Sequence, residues 1–135
     1  MPIIVKRLGP DKDIYSELKA LVDEYKIEAA VILSLVGSVK EGSLRFANQE
    51  QASLISGPLE IVSATGTLGL SGMHIHASLA DSRGRTYGGH FMPGNKVYTT
   101  CEIVIHDFSR EWKFERVLDV STGYPELVGI QLHLK

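Results

Sequence analysis

Three histidines carry the strongest chemical signal in this chain: His74, His76 and His90. A neutral imidazole is the commonest protein ligand for transition metals and a general acid or base near neutral pH. In the run Met73-His-Ile-His-Ala-Ser-Leu-Ala-Asp81 the residue types alternate. A strand there would place Met73, Ile75, Ala77 and Leu79 on a core face, with His74, His76 and Ser78 on the other. The segment Asp81-Ser-Arg-Gly-Arg85 has turn composition. If it is a hairpin loop, Ala80 pairs with Thr86, Ser78 with Gly88, and His76 with His90. Directly opposed Cβ atoms lie about 4.5–5.5 Å apart, and the diagonal His74 about 7–8 Å from His90. Imidazoles so placed can converge on one ion, because zinc–nitrogen bonds are about 2.0–2.1 Å. Gly88 and Gly89 leave space beside the cluster. Three histidines with an open fourth position is the arrangement that catalytic zinc uses. Two other readings stand beside it: histidines idle on an exposed face, and histidines lining an interface between copies of the chain. A slip of one residue in the hairpin would undo the convergence.

The remaining chemical candidates are weaker. Glu102 sits inside the apolar strand segment Val97 to Ile105. A carboxylate buried there must be paired, hydrogen-bonded or protonated. It is a candidate general base or a partner holding a histidine in place, and equally a residue that faces solvent or meets a symmetry mate. Cys101 alternates away from it and reads as a small core residue. Arg83-Gly84-Arg85 resembles the centre of an AT-hook, but Thr86 follows where a hook has proline, so a hairpin tip is the simpler reading. The glycines match no phosphate-binding loop.

These residues need elements to position them. Ile3 to Arg7 reads as a first strand, broken by Gly9-Pro10. A helix over residues 11–25 follows. Asp11 is its candidate cap, and Ile14, Leu18, Leu21, Val22 and Tyr25 are its apolar stripe. Ala29 to Val39 reads as a strand buried on both faces. Glu41-Gly42 reads as a turn, with Ser43 to Ala47 as hairpin partner and Asn48 to Pro58 as loop. Further strands are expected over Leu59 to Leu70, Met73 to Ala80, Thr86 to Met92, Val97 to His106, Trp112 to Val117 and Val128 to Leu134, with a second short helix near 108–111. The expected class is α+β, one main helix on a mostly antiparallel sheet.

Whole-chain properties narrow the function. The 135 residues suit one domain, residues 1–135. A hydrophobic fraction of 44% and a charged fraction of 22% are ordinary for a globular fold. One cysteine excludes an internal disulfide framework. No apolar run reaches the roughly 20 residues of a membrane span, and the N-terminus MPIIVKRLGP lacks the features of a signal peptide. Cytoplasmic location is the expectation. A net charge of −2 gives no general attraction to phosphate backbones.

At the histidine hairpin the sequence resembles the plants-and-prokaryotes-conserved (PPC) domain family. The resemblance rests on Gly72-Met-His-Ile-His-Ala-Ser-Leu-Ala-Asp81, Gly84-Arg-Thr-Tyr-Gly-Gly-His90 and Val97-Tyr-Thr-Thr-Cys-Glu-Ile-Val-Ile105. It extends through Gly57-Pro-Leu-Glu-Ile-Val-Ser63 and Leu33-Ser-Leu-Val-Gly-Ser-Val39, so it covers most of the chain. It implies a strongly bent antiparallel sheet and a homotrimer. It also implies that His74, His76 and His90 match a metal-binding pattern of prokaryotic members, with zinc or another divalent transition metal as the ion. Plant members carry the domain beside AT-hooks in nuclear DNA-binding proteins. This chain has no AT-hook, and Pro58 and Leu59 stand where plant members have Arg and Phe. A DNA partner would therefore rest on analogy. The expectations are thus a homotrimeric metal-binding domain with room for a small-molecule ligand or, alternatively, a DNA-associated regulatory or interaction module without catalysis.

Overall fold

The computed structural model describes residues 2–133. Its elements run β1 (Ile3–Leu8), α1 (Ile14–Glu24), β2 (Ala30–Arg45), β3 (Ser53–Gly69), β4 (Gly72–Ala80), β5 (Thr86–Phe91), β6 (Val97–Asp107), β7 (Trp112–Asp119) and β8 (Tyr124–Gln131). Six strands form an antiparallel sheet in the order β1-β6-β2-β3-β4-β5, and β7 and β8 form a separate two-stranded arm. The α+β class with one main helix is as the sequence implied.

The sheet bends because β2 serves three partners. Its 16 residues pair with β3 and with β6, and its C-terminal end pairs with β5 through Leu44↔Phe91 and Arg45↔His90. The chain β2-β3-β4-β5 thereby closes back on β2. Register shifts mark the bend, at Ile32/Ser34 and Gly37/Val39 against β6 and at Val39/Glu41 against β3. Such bulges turn a strand and increase its twist. At Gly37 a Cβ would lie 2.0 Å from the Thr100 carbonyl oxygen, so glycine is required where β6 crosses. The Glu41-Gly42 turn expected from the sequence does not exist. Gly42 lies inside β2, where an added Cβ would meet Leu59 at 2.9 Å and Leu79 at 3.0 Å. That glycine answers core crowding, and Ser43 to Arg45 continues the same strand instead of returning as a hairpin. The loop expected over Asn48 to Pro58 is likewise shorter, because β3 already begins at Ser53.

The helix is shorter than residues 11–25 and is capped differently. Asp13 is the N-cap, its side chain accepting the Ser16 N–H at 3.0 Å. Asp11 sits outside with φ 73, its carboxylate paired with Lys40. Ile14, Leu18, Leu21 and Val22 are buried as the stripe required, but Tyr25 is the C-cap and is 53% exposed. The helix joins one core with Ile4, Leu35, Leu44, Ile75, Leu79, Phe91, Ile103 and Ile105. Asp13 also accepts the Gly94 N–H at 2.7 Å, so it holds the β5–β6 loop as well as the helix. Asp13→Ala is therefore expected to cost about 1–2 kcal/mol, the upper range for a lost cap, read as a lowered urea midpoint.

No second helix forms near 108–111. Those residues turn, with Trp112 N–H donating to the Phe108 carbonyl at 3.1 Å and Ser109 Oγ accepting the Glu28 N–H at 2.9 Å. The last strand is Tyr124–Gln131 rather than Val128 to Leu134. Leu134 lies outside the described residues. Among the described residues no helix is long and apolar enough to cross a membrane.

Candidate metal centre

The hairpin register is the one the sequence implied: His76↔His90, Ser78↔Gly88 and Ala80↔Thr86. Ile75, Ala77 and Leu79 are buried and Met73 packs against the core, which turns His74 and His76 outward. The three ring centroids lie 4.8, 5.1 and 5.6 Å apart. His74 Nε2 and His76 Nε2 are 3.2 Å apart, and each ring offers a nitrogen within 4.8 Å of the others. Two ligands on one tetrahedral zinc are roughly 3.3 Å apart, given bonds of about 2.0–2.1 Å. The His74–His76 pair meets that spacing. His90 offers its nitrogen within 4.8 Å of that pair. The donor set fits a zinc-like ion.

Burial, then the Arg45 guanidinium, then His74 and His76 hold the His90 imidazole down to about 4. His74 is also lowered, first by burial, then by His76 and Arg116; Glu126 acts in the opposite sense. Unprotonated rings are what a metal requires. In the metal-free protein the linkage has a definite sign. Below the unfolded value near 6.5 the unfolded chain binds protons that native His90 refuses. Stability therefore falls as pH drops from about 6.5 toward 5, before carboxylates titrate. Urea midpoints across that window are expected to decline for metal-free wild type and to decline less for His90→Ala.

The cluster opens into a cleft of about 1000 Å³. The loop after β2, the histidine hairpin and the β7–β8 arm line it, and the arm contributes Arg116, Tyr124 and Glu126. Gly88 borders the cleft with only light contacts, 3.6 Å from a built Cβ to Ala77 and Ser78. Gly89 is different: a Cβ there would press on the Arg45 carbonyl at 2.8 Å. It serves the β2–β5 seam more than the open space the sequence suggested.

Glu102 is not brought to the cluster. It is exposed on β6, opposite Arg7 on one side and Val36 on the other, and it does not line the cleft. Cys101 is fully buried, and burial followed by Glu102 pushes its thiol up to about 12, so it is an inert core residue. Arg83-Gly84-Arg85 is a hairpin tip. Gly84 has φ +79, and the Asp81 carboxylate accepts the Arg83 and Arg85 N–H groups and the Arg85 side chain.

Sequence reasoning missed Arg45. Alternation could have placed it, because buried Leu44 next door turns Arg45 to the histidine face. Only the long-range Arg45↔His90 pairing brings it to the site. Its Nε is buried with no hydrogen-bond partner.

A bent antiparallel sheet carrying three converging imidazoles in a cleft defines a small α+β protein with a candidate metal centre. The chain matches the Plants and Prokaryotes Conserved (PCC) domain over residues 1–109, and it belongs to that family. It is similar to a hypothetical protein from Salmonella, at 36% identity and TM-score 0.92, covering 96% of this chain and 94% of that one. It is also similar to the metal-containing protein AF0104 from Archaeoglobus fulgidus, at 28% identity and TM-score 0.82, covering 95% and 94%. A candidate DNA-binding protein from Bacteroides thetaiotaomicron shares the fold, with 20% identity, TM-score 0.77 and coverage of 96% and 91%. Among curated proteins, the bifunctional protein GlmU of a Synechococcus strain is 45% identical over 121 residues. Those residues are 90% of this chain but 19% of that protein, so the chain spans about a fifth of this relative.

Proposed function

We propose that this protein is a homotrimeric metal-binding domain in which His74, His76 and His90 hold one zinc-like ion with a position left for a small ligand. The observation that carries this reading is the convergence of three nitrogen donors, from two paired strands, in the lining of a cleft. The metal-containing name of the Archaeoglobus relative supports it. The three imidazoles hold the ion, and such an ion supplies Lewis acidity toward an oxygen of the ligand. Burial and the nearby guanidinium favour the unprotonated His90 ring that this task needs.

Assembly is supported by two apolar surfaces. Val5, Leu33, Val36 and Val62 are each more than half exposed on strands of the sheet, and Leu127, Val128 and Ile130 are exposed on β8. Exposed apolar side chains in this number suit a surface that another copy of the chain would cover. The second copy is its proposed occupant.

The test is elemental analysis of untagged protein together with its mass by light scattering. About one zinc per chain, on a particle of three times the 14.8 kDa chain mass, is expected. Metal-free protein after zinc is supplied and excess removed would overturn the metal reading, and a monomer would overturn the trimer. A DNA role has less support. The candidate DNA-binding neighbours at 20% and 18% identity share only the fold, and net charge is −2. It would require binding that weakens steeply with salt.

A further inference from the structure

Arg45 and Arg116 stand in the histidine cleft without carboxylate partners. Arg45 pairs opposite His90 across the β2–β5 seam, and its buried Nε finds no acceptor. A guanidinium carries five donors and keeps its charge, so with Nε sealed from solvent the Nη groups are the donors left to meet a partner in the cleft that Arg45 lines. Arg116 reaches in from β7 and donates through Nη2 to Thr67 Oγ1 at 3.1 Å. Among the described residues neither arginine takes part in an ion pair.

We propose that these two arginines recognise a small molecule through its oxyanion, a carboxylate or a phosphate, seated beside the histidine cluster. The proposal rests on the metal reading for its full strength. Three neutral imidazoles cancel none of a divalent ion's charge, and Arg45 adds another positive charge beside them. An oxyanion with one oxygen toward the open position and others on the guanidinium forks would neutralise the site. Arginine favours such bidentate contacts with carboxylate and phosphate. Glu50 and Glu126 also line the cleft and oppose an anion; with Arg45 and Arg116 they leave its side chains without net formal charge, so the bound ion supplies the positive excess that an oxyanion would neutralise. The cleft volume of about 1000 Å³ admits an organic body behind the anionic group.

The experiment titrates inorganic phosphate and, separately, succinate into protein by calorimetry. Zinc-loaded protein freed of excess zinc and metal-free protein are both used. Wild type is expected to bind at least one of the two anions, and whichever binds tighter identifies the oxyanion. Arg45→Gln and Arg116→Gln are each expected to weaken binding at least about tenfold while zinc content is unchanged. Arg45→Lys, which keeps charge but loses the fork, should fall between. Unaltered anion binding in both glutamine variants would overturn the proposal, as would failure of zinc-loaded wild type to bind either anion. If the chain takes up no zinc, the metal reading alone fails. The arginine assignment then stands or falls on whether metal-free protein binds phosphate or succinate in an Arg45- and Arg116-dependent way.

Discussion

His90→Ala is expected to abolish stoichiometric zinc binding while leaving the fold intact. His90 is the one member of the cluster on β5, and without it the two β4 imidazoles are an exposed pair at 3.2 Å. Removing even an outlying support of a metal ligand typically costs 10–100-fold in affinity, so loss of a ligand itself should exceed about 100-fold. Competition against a chromophoric chelator measures this. His133→Ala, an exposed histidine outside the cluster, should leave affinity unchanged. The stability cost should be small, since His90 is only part-buried and its side chain makes no hydrogen bond among the described residues, and surface changes of this kind lie within about 0.5 kcal/mol. Full zinc retention in His90→Ala would remove the three-histidine site.

The site was legible where the information is local. Alternation in Met73 to Ala80 and the turn composition of Asp81 to Arg85 fix which residues face each other, and His76↔His90 follows from them. The long β2 was not legible, because glycine carries two meanings. Gly42 reads as a turn by type, yet its place is dictated by the Leu59 and Leu79 side chains packed over it. Those contacts come from β3 and β4 and leave no trace near residue 42. The helix start was ambiguous for a similar reason. Asp11 and Asp13 are both competent caps, and what separates them is the left-handed Asp11 backbone and its Lys40 partner on β2. Arg45 and the β7–β8 arm reach the cleft only through tertiary pairing, so the arginine side of the cleft was invisible while the histidine side was not. Glu102 drew notice as a charge in an apolar run, but β6 keeps one face open and Glu102 lies on it.

Asn95→Ala is expected to do the reverse of His90→Ala, lowering stability while zinc affinity is largely kept. Asn95 is fully buried in the loop between β5 and β6. Its Oδ1 accepts the Ser43 N–H at 2.8 Å, and its Nδ2 donates to the Ser43 carbonyl at 2.9 Å and the Met92 carbonyl at 2.8 Å. Ser43 lies just before the Arg45 position on β2, and Met92 just after His90 on β5. The ladder between those strands has only two residue pairs, so this one amide is a large part of what fixes His90 against β2. Alanine would leave the Ser43 N–H buried without a partner. An orphaned buried donor costs about 1–3 kcal/mol, and with the other lost bonds the expected total is on the order of 3 kcal/mol in urea denaturation. Asn95→Asp discriminates the cause. It keeps the shape and the acceptor for Ser43 but turns an oxygen toward two carbonyls, so it should be at least as destabilising as alanine. If size alone mattered, aspartate would be tolerated. With the seam loosened, Arg45 loses its fixed place beside His90, whereas the five β4–β5 pairs still hold His90 opposite His76, so zinc affinity should change little in Asn95→Ala under conditions where the protein remains folded.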